Sequence, residues 1–148
     1  MITPIRIMLK SIEKITTVDC KIFCNKIQYP FEIVNHGEHF DIYKNETMFF
    51  ISIDTVVDCI DSNELSILWR NKPLIDSEID DIEINYLYID KNNLFKASRF
   101  YHIHSNDLVD PPKEFDNNYW NPGTQIDNPG IFYLDFNLPI ESWCFKVC

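Results

Sequence analysis

The sequence indicates a protein of the α+β class, built predominantly of antiparallel β-sheet with one or two short helices. The chain has 148 residues, which suits one domain rather than two. Hydrophobic residues make up 45% of it and charged residues 24%, a balance typical of a folded globular protein. Only 3 residues are glycine, whereas β-branched and aromatic residues are abundant, and this combination favours strands over long helices. We therefore expect a single globular domain over residues 1–148.

The first third of the chain predicts a series of short strands. Each candidate is rich in Ile, Phe or Tyr and is bounded by polar or turn residues. The predicted strands are residues 5–9, 15–23, 31–34, 40–43 and 48–53. Gly37 lies between the third and the fourth of them, so residues 35–38 are predicted to form a hairpin turn.

A short helix is predicted over residues 53–62. Ser52 would accept a hydrogen bond from a backbone N–H of the first turn, and Asp54 would favour the positive end of the helix dipole. Three apolar residues would then share one helical face: Val56, Val57 and Ile60. Asn63 tolerates the left-handed conformation that ends helices, and residues 65–69 alternate as a following strand.

The second half of the chain predicts a hairpin, two turns and two further strands. The hairpin arms are residues 84–89 and 94–103, around the Asn- and Asp-containing segment 90–93, which accepts positive φ at low cost. Two identical Asn-Pro-Gly triplets each fit a type II turn, because Pro presets φ and Gly supplies a positive φ. The triplets are residues 121–123 and 128–130. The last two predicted strands are residues 131–136 and 143–147.

The charge of the chain limits its partners. Lys and Arg number 13 against 23 Asp and Glu, so the formal net charge is −10 at pH 7. Such a surface opposes the phosphate neutralisation that nucleic-acid binding requires, and anionic lipid repels it. We therefore expect no nucleic acid and no membrane as partners. No apolar stretch approaches the roughly 20 residues of a membrane span, and residues 1–11 lack an export cleavage site, so we expect a cytoplasmic protein.

The histidines and cysteines give no strong metal signal. His102 and His104 are two residues apart on a predicted strand and would share a face, but the nearest downstream glutamate, Glu114, is ten residues on. Two cysteine pairs have a four-residue separation, about 13 Å along a strand, which is too far for one metal ion. These pairs are Cys20 with Cys24 and Cys144 with Cys148. We expect buried structural cysteines, no metal, no cofactor and no catalytic residue.

Two acidic or aromatic segments are candidate partner-binding sites. One is a run of five carboxylates interleaved with isoleucine, which is either a solvated segment or a docking surface for a basic partner. Its members are Asp76, Glu78, Asp80, Asp81 and Glu83. The other lies in the long connection 105–130, where aromatic side chains either pack back on the domain or act as interface anchors. Its candidate contact residues are Asp116, Tyr119 and Trp120.

Residues 46–90 carry a family resemblance. The parts are a strand ending in serine, a short amphipathic helix, an asparagine turn and a strand ending near proline: Phe-Phe-Ile-Ser at 49–52, Asp-Thr-Val-Val-Asp-Cys-Ile at 54–60, Asn-Glu-Leu at 63–65, the strand to Trp69, and Pro73. This pattern resembles bacterial polymorphic-toxin immunity proteins, among them those of contact-dependent inhibition. The Tyr-Leu-Tyr-Ile-Asp segment at 86–90 is similar to their next, tyrosine-rich strand.

The resemblance implies an immunity protein, or antitoxin, which serves bacterial competition. Such a protein is not an enzyme and binds a cognate toxin domain, here expected to be a basic nuclease, by occluding its active site. The first alternative is a metal-dependent enzyme or a small-ligand-binding β-domain that uses His102 and His104. A second alternative is a nucleic-acid mimic, which would space its carboxylates like phosphates.

Overall fold

The computed structural model describes residues 1–12, 14, 18–69, 83–94, 99–102, 124–125 and 130–147. Within these ranges the chain forms eleven β-strands and one α-helix. The strands are β1 (Ile2–Ser11), β2 (Cys20–Cys24), β3 (Ile27–Tyr29), β4 (Glu32–Asp41), β5 (Glu46–Asp58), β6 (Ser62–Trp69), β7 (Glu83–Ile89), β8 (Asn92–Asn93), β9 (Arg99–His102), β10 (Thr124–Gln125) and β11 (Gly130–Asn137). The helix, α1, spans Ile140–Val147.

The strands form two antiparallel sheets. The first sheet has the order β10-β7-β1-β5-β4, with β8 paired to β7, and the second has the order β3-β2-β6-β11-β9. In the first sheet β1 is central, because it pairs with β5 on one side and with β7 on the other. The predicted α+β class, dominated by antiparallel sheet, is therefore confirmed.

One hydrophobic core joins the two sheets. Strand β1 alternates along its length, so that Ile5, Ile7 and Leu9 are buried while the residues between them face outwards. The same cluster contains residues of the second sheet: Ile22, Cys24, Leu65, Ile67, Phe132, Leu134 and Phe136. The opposite face of the first sheet points away from this core and carries the even-numbered side chains of β1.

The helix predicted over residues 53–62 is wrong, because β5 continues through this segment to Asp58 and β6 begins at Ser62. The residues follow a period of two: Ile53, Thr55 and Val57 are buried, and the side chains between them are more exposed. Four of the five residues at 53–57 are β-branched, all except Asp54, which favours a strand. The resemblance to immunity proteins included a short helix at 54–60, where the structure has the end of β5, up to Asp58, followed by two residues outside any strand or helix.

The predicted hairpin turn at residues 35–38 is also wrong. Strand β4 runs through it, and its pairing with β5 shifts register between Asn35 and Glu38, which marks a β-bulge. Gly37 has a φ of 94° within this bulge, and its N–H donates to Asn35 Oδ1 at 2.8 Å. The turn that reverses the chain comes later, at residues 42–45. A glycine with positive φ suits a bulge as well as a turn, so the residue type did not separate the two.

At the carboxyl end, α1 replaces the strand predicted for residues 143–147. Pro139 lies just before the helix, Glu141 places an acidic side chain in its first turn, and the N–H of Trp143 donates to the Pro139 carbonyl at 3.1 Å. Ile140 is buried, and Trp143 packs against the core with Cys144. Their three- and four-residue spacing is that of one helical face.

The predicted hairpin after β7 is confirmed in part. Asp90 has a φ of 56° at the turn, and β8 pairs antiparallel with the end of β7. However, β9 leaves for the second sheet, where it pairs with β11. Of the predicted second arm, residues 94–103, Leu94 still donates to the Leu87 carbonyl of β7 at 2.8 Å, whereas residues 99–102 belong to the other sheet. The triplet at 121–123 and residues 128–129 lie outside the described residues, while Gly130 begins β11.

Candidate functional site

A groove crosses the outer face of the first sheet. Its volume is about 740 Å³, and its walls come from β1, β4, β5, β7 and the turn after β7. Strand pairing sets its floor: Arg6 on β1 lies between Tyr88 on β7 and Asp54 on β5. Asp54 in turn lies opposite Glu32 on β4. We call these four residues the central row.

The middle of the central row is an ion pair. The Arg6 guanidinium donates through Nε to Asp54 Oδ1 at 2.9 Å and through Nη2 to Oδ2 at 2.7 Å. Two parallel N–H···O bonds fix the orientation of both groups. The Arg6 side chain is 45% exposed and that of Asp54 19%, so the pair forms part of the groove floor and remains accessible to a ligand.

Two more polar side chains extend this pair towards β4. The Ser52 hydroxyl donates to Asp54 Oδ1 at 2.8 Å, and His36 Nε2 lies 2.7 Å from the same hydroxyl oxygen. A serine hydroxyl has one proton, and here the Asp54 carboxylate accepts it. His36 Nε2 is therefore the donor in the second bond. The result is a polar chain in the order His36, Ser52, Asp54, Arg6.

This order differs from that of a nucleophilic triad. A catalytic histidine accepts the serine proton and lies between the serine and the carboxylate. Here Ser52 is the middle member and gives its proton to Asp54, while His36 donates to it. Ser52 is also fully buried. The polar chain consequently braces three strands, β1, β4 and β5, and supplies no activated hydroxyl.

Both charges of the ion pair are held in place. Partial burial raises the pKa of Asp54, but the hydrogen bonds from Arg6 and Ser52, together with the Arg6 charge, outweigh it and hold the pKa of Asp54 below its ordinary value. The hydrogen bond to Asp54 raises the pKa of Arg6. Near neutral pH the groove floor therefore contains a permanent carboxylate and a permanent guanidinium, which largely balance each other.

The β7 end of the groove is aromatic, with the exposed and oppositely charged Asp90 and Lys91 of the following turn beside the rings. The rings of Tyr86 and Tyr88 stack with centroids 5.6 Å apart and an interplanar angle of 29°. Tyr86 is 41% exposed. On β5, nearer the other end, Val56 is 53% exposed and adds apolar area to the groove wall. Exposed aromatic and aliphatic side chains at the rim of one groove are typical of a surface that meets another molecule.

The β4 end of the groove is acidic. Glu32 is exposed and lies opposite Asp54. Arg6 already balances Asp54, and within the described part of the chain no ion pair compensates the charge of Glu32; His36 is the other polar side chain of β4 in the groove. The groove thus combines a rigid floor, an aromatic end and an acidic end, which suits a ligand that is basic at one point and apolar at another.

The residues predicted as the partner-binding site fall almost wholly outside the described part of the chain. Glu83 lies within it as the first residue of β7, where its backbone pairs with Lys10 and Gln125. The others lie outside the described residues: Asp76, Glu78, Asp80, Asp81, Asp116, Tyr119 and Trp120. These candidates therefore stay predictions.

The histidines are placed apart. His36 lies in the groove, His39 is exposed on β4, and His102 lies on β9 of the second sheet, opposite Gly130. His104 lies outside the described residues. Among the residues that are described, no group of three or more His, Cys, Asp or Glu side chains is arranged to hold a metal ion. Cys20 and Cys24 are buried as free thiols, as predicted for structural cysteines.

The sequence interpretation missed the groove because it assigned Ser52 and Asp54 to a helix cap. Their spacing of two residues on a strand places both on one face, next to Arg6 and Met8 of β1. The alternation of β1, with Pro4, Arg6, Met8 and Lys10 at every second position, was the available signal. Pairing it with β5 and β7 requires long-range register, which a local pattern does not contain.

No protein-family model, curated protein or solved structure matches this chain. Within the described ranges, no helix has both the length and the apolar character to cross a membrane.

Proposed function

We propose that this protein binds a basic protein partner through the groove and, as an immunity protein, neutralises a cognate bacterial toxin domain by covering its active site. The observation that carries the proposal is the groove itself, which places the exposed Tyr86 and the half-buried Tyr88 beside a braced ion pair on the outer face of the first sheet. Its function as proposed is occlusion, with no chemical step. The partner is expected to be a basic nuclease.

Charge supports a basic partner. The net charge of −10 accelerates association with a positively charged surface and opposes association with a second copy of the same chain. The substrate of a nuclease is a polyanion, so its active site is a basic surface. An acidic protein that covers such a site competes with the substrate for the same charges.

The groove supports a specific interface rather than diffuse attraction. Tyrosine is enriched among the residues that dominate binding energy, and stacking limits the rotamers that Tyr86 and Tyr88 lose on binding. A stable inhibitor buries about 1,600 Å² in total, so the groove would form the centre of a larger contact. The predicted acidic run around Asp80 is a candidate for its periphery, and the aromatic residues near Trp120 are candidates for further anchors.

Growth rescue tests the proposal directly. The carboxyl-terminal domain encoded by the adjacent upstream reading frame is expressed in a bacterial host, with and without this protein. We expect toxicity alone, rescue with both, and co-purification of the two proteins. Toxicity without rescue, or a neighbouring domain that is not toxic, would argue against immunity towards that partner.

A further inference from the structure

The two ends of the groove differ in chemistry, and the fold fixes the distance between them. The central row crosses four neighbouring strands, from Tyr88 on β7 to Glu32 on β4. Adjacent strands lie about 4.8 Å apart, so three steps separate these two residues by about 14 Å. The polar chain from His36 to Arg6 joins β4, β5 and β1, and the backbone pairing of β7 with β1 completes the span.

The charge and polarity of each end of the groove indicate which ligand side chain would bind there. Arg6 and Asp54 neutralise each other between the ends, and Glu32 is left as an exposed carboxylate at the β4 end. A cationic side chain placed there would gain a charge-assisted hydrogen bond. At the other end, Asp90 and Lys91 carry opposite charges that offset each other, and the stacked rings of Tyr86 and Tyr88 present apolar area, which favours an apolar or aromatic side chain. An acidic ligand would be repelled by Glu32 and by the net charge of the molecule.

The geometry points to an extended segment of the basic partner as the occupant of the groove, with a Lys or Arg side chain at Glu32 and an apolar side chain on the Tyr86–Tyr88 pair. This inference rests on the proposed function. In an extended chain, residues i and i+4 project to the same side and lie about 13 Å apart, which matches the separation of the two ends. The segment crosses the strands of the sheet rather than adding a strand at its edge.

Short synthetic peptides test this two-point binding without the partner. The full-length, isotopically labelled protein is titrated with acetyl-Phe-Gly-Ser-Gly-Arg-amide and observed by NMR. We expect backbone amide shifts to concentrate at Arg6, Asp54 and Tyr88, with a dissociation constant in the millimolar range, corresponding to about −4 kcal/mol. Replacing Arg by Glu in the peptide, or moving it to two residues after Phe, is expected to weaken binding about fivefold or more.

Matched protein variants assign the two ends. Glu32→Gln is expected to weaken the Arg peptide about fivefold, whereas Glu38→Gln removes the same charge from the same strand outside the groove and should leave binding unchanged. Tyr86→Ala is expected to weaken binding of the phenylalanine side chain. Tyr43→Ala is its control, because Tyr43 is 94% exposed and lies outside the groove.

Each result bears on one of the two claims. Equal affinity for the Arg and Glu peptides, shifts centred outside the groove, or no shifts at all would overturn the two-point inference. If the peptides bind as expected and the protein does not rescue growth, the proposed immunity function is wrong, whereas the two-point binding by the groove is supported. If the protein rescues growth but the peptides do not use the groove, the inhibitor binds its toxin through another surface.

Discussion

At the residue scale, Asp54 links the stability of the sheet to the chemistry of the groove. Its carboxylate accepts hydrogen bonds from Arg6 on the neighbouring strand and from Ser52 on its own strand. Because these bonds favour the charged form, the pKa of Asp54 in the folded protein lies below its ordinary value. Deprotonated Asp54 therefore contributes to folding, and protonation removes that contribution.

The first prediction follows from the sign of this shift. An unfolded aspartate has a pKa of about 3.9, so the contribution of Asp54 is fully present above that pH and is lost as the pH falls through the lower folded value. Asp54→Asn is expected to lower the free energy of unfolding near pH 7 by about 1 kcal/mol and to make its fall below pH 5 less steep. Urea unfolding of both proteins between about pH 2.5 and about pH 7 measures the free energy of unfolding across the range in which aspartate titrates. Parallel pH profiles would show that the ion pair does not stabilise the fold.

Cys20 and Cys24 illustrate how burial controls reactivity. Burial, followed by the nearby charge of Asp19, raises the pKa of the Cys20 thiol to about 12. Burial also raises the pKa of Cys24 to about 12, with a further contribution from the neighbouring Cys59. Since the thiolate is the nucleophile, both thiols are almost entirely in the unreactive form at neutral pH.

The second prediction concerns alkylation of these thiols. In the native protein at about pH 8, Cys20 and Cys24 are expected to react with iodoacetamide at least tenfold more slowly than in urea, where a cysteine has a pKa of about 8.5. Mass spectrometry of the digested protein reads each site separately. Comparable alkylation rates in the native and unfolded protein would contradict this prediction, because they would mean that β2 opens readily and exposes both thiols.

At the scale of elements, the strand at 53–58 is a segment whose secondary structure the local sequence pattern does not determine. Residues 53–62 fit a helix by their cap residues and by the spacing of Val56, Val57 and Ile60, and they also fit a strand by their alternation. Tertiary structure favours the strand, because β5 pairs with β1 on one side and with β4 on the other. The composition predicted the abundance of antiparallel sheet, whereas this choice depends on residues far away in the sequence.

The β-bulge in β4 gives the third prediction. Gly37 has a φ of 94°, which a side chain disfavours, and a Cβ added there would meet no atom within 4 Å. Gly37→Ala is therefore expected to cost about 1 kcal/mol from backbone strain alone. Gly37→Asn is expected to cost less, because Asn tolerates positive φ more readily. Chemical unfolding measures both. If both variants are as stable as the native chain, the bulge has relaxed or is absent.

The groove was less predictable than the fold for a related reason. Arg6, Ser52 and Tyr88 come from three segments separated by more than thirty residues each, and only strand register brings them into one face. The acidic run was visible as a local cluster, so the sequence interpretation favoured it. A site assembled from every second residue of several strands has no comparable local signal.

At the scale of the whole molecule, the net charge of −10 determines how a partner approaches. Long-range attraction raises the association rate and is screened by salt, whereas contacts in a desolvated centre set the dissociation rate. We expect the two candidate partner-binding segments to differ in this respect. The carboxylates of the acidic run would act on the association rate, and the aromatic side chains of the connection 105–130 would act on the dissociation rate.

The fourth prediction applies this division to the candidates in the undescribed segments. Reversing the charges of Asp80 and Asp81 to Lys is expected to slow association with the toxin domain, with an effect that shrinks in high salt. Trp120→Ala is expected to raise the dissociation rate. Surface plasmon resonance at two salt concentrations measures both rates. Unchanged kinetics in both variants would remove these segments from the interface.

The central claim is that the groove binds the toxin. Growth rescue by Tyr86→Ala/Glu32→Lys, compared with rescue by the control Tyr43→Ala/Glu38→Lys, tests it most directly, because both double variants make the same chemical changes to exposed residues of the first sheet and its β4–β5 turn. Circular dichroism first establishes that both variants fold. We predict that the groove variant loses rescue and co-purification and that the control retains them. Full rescue by the groove variant would contradict the account.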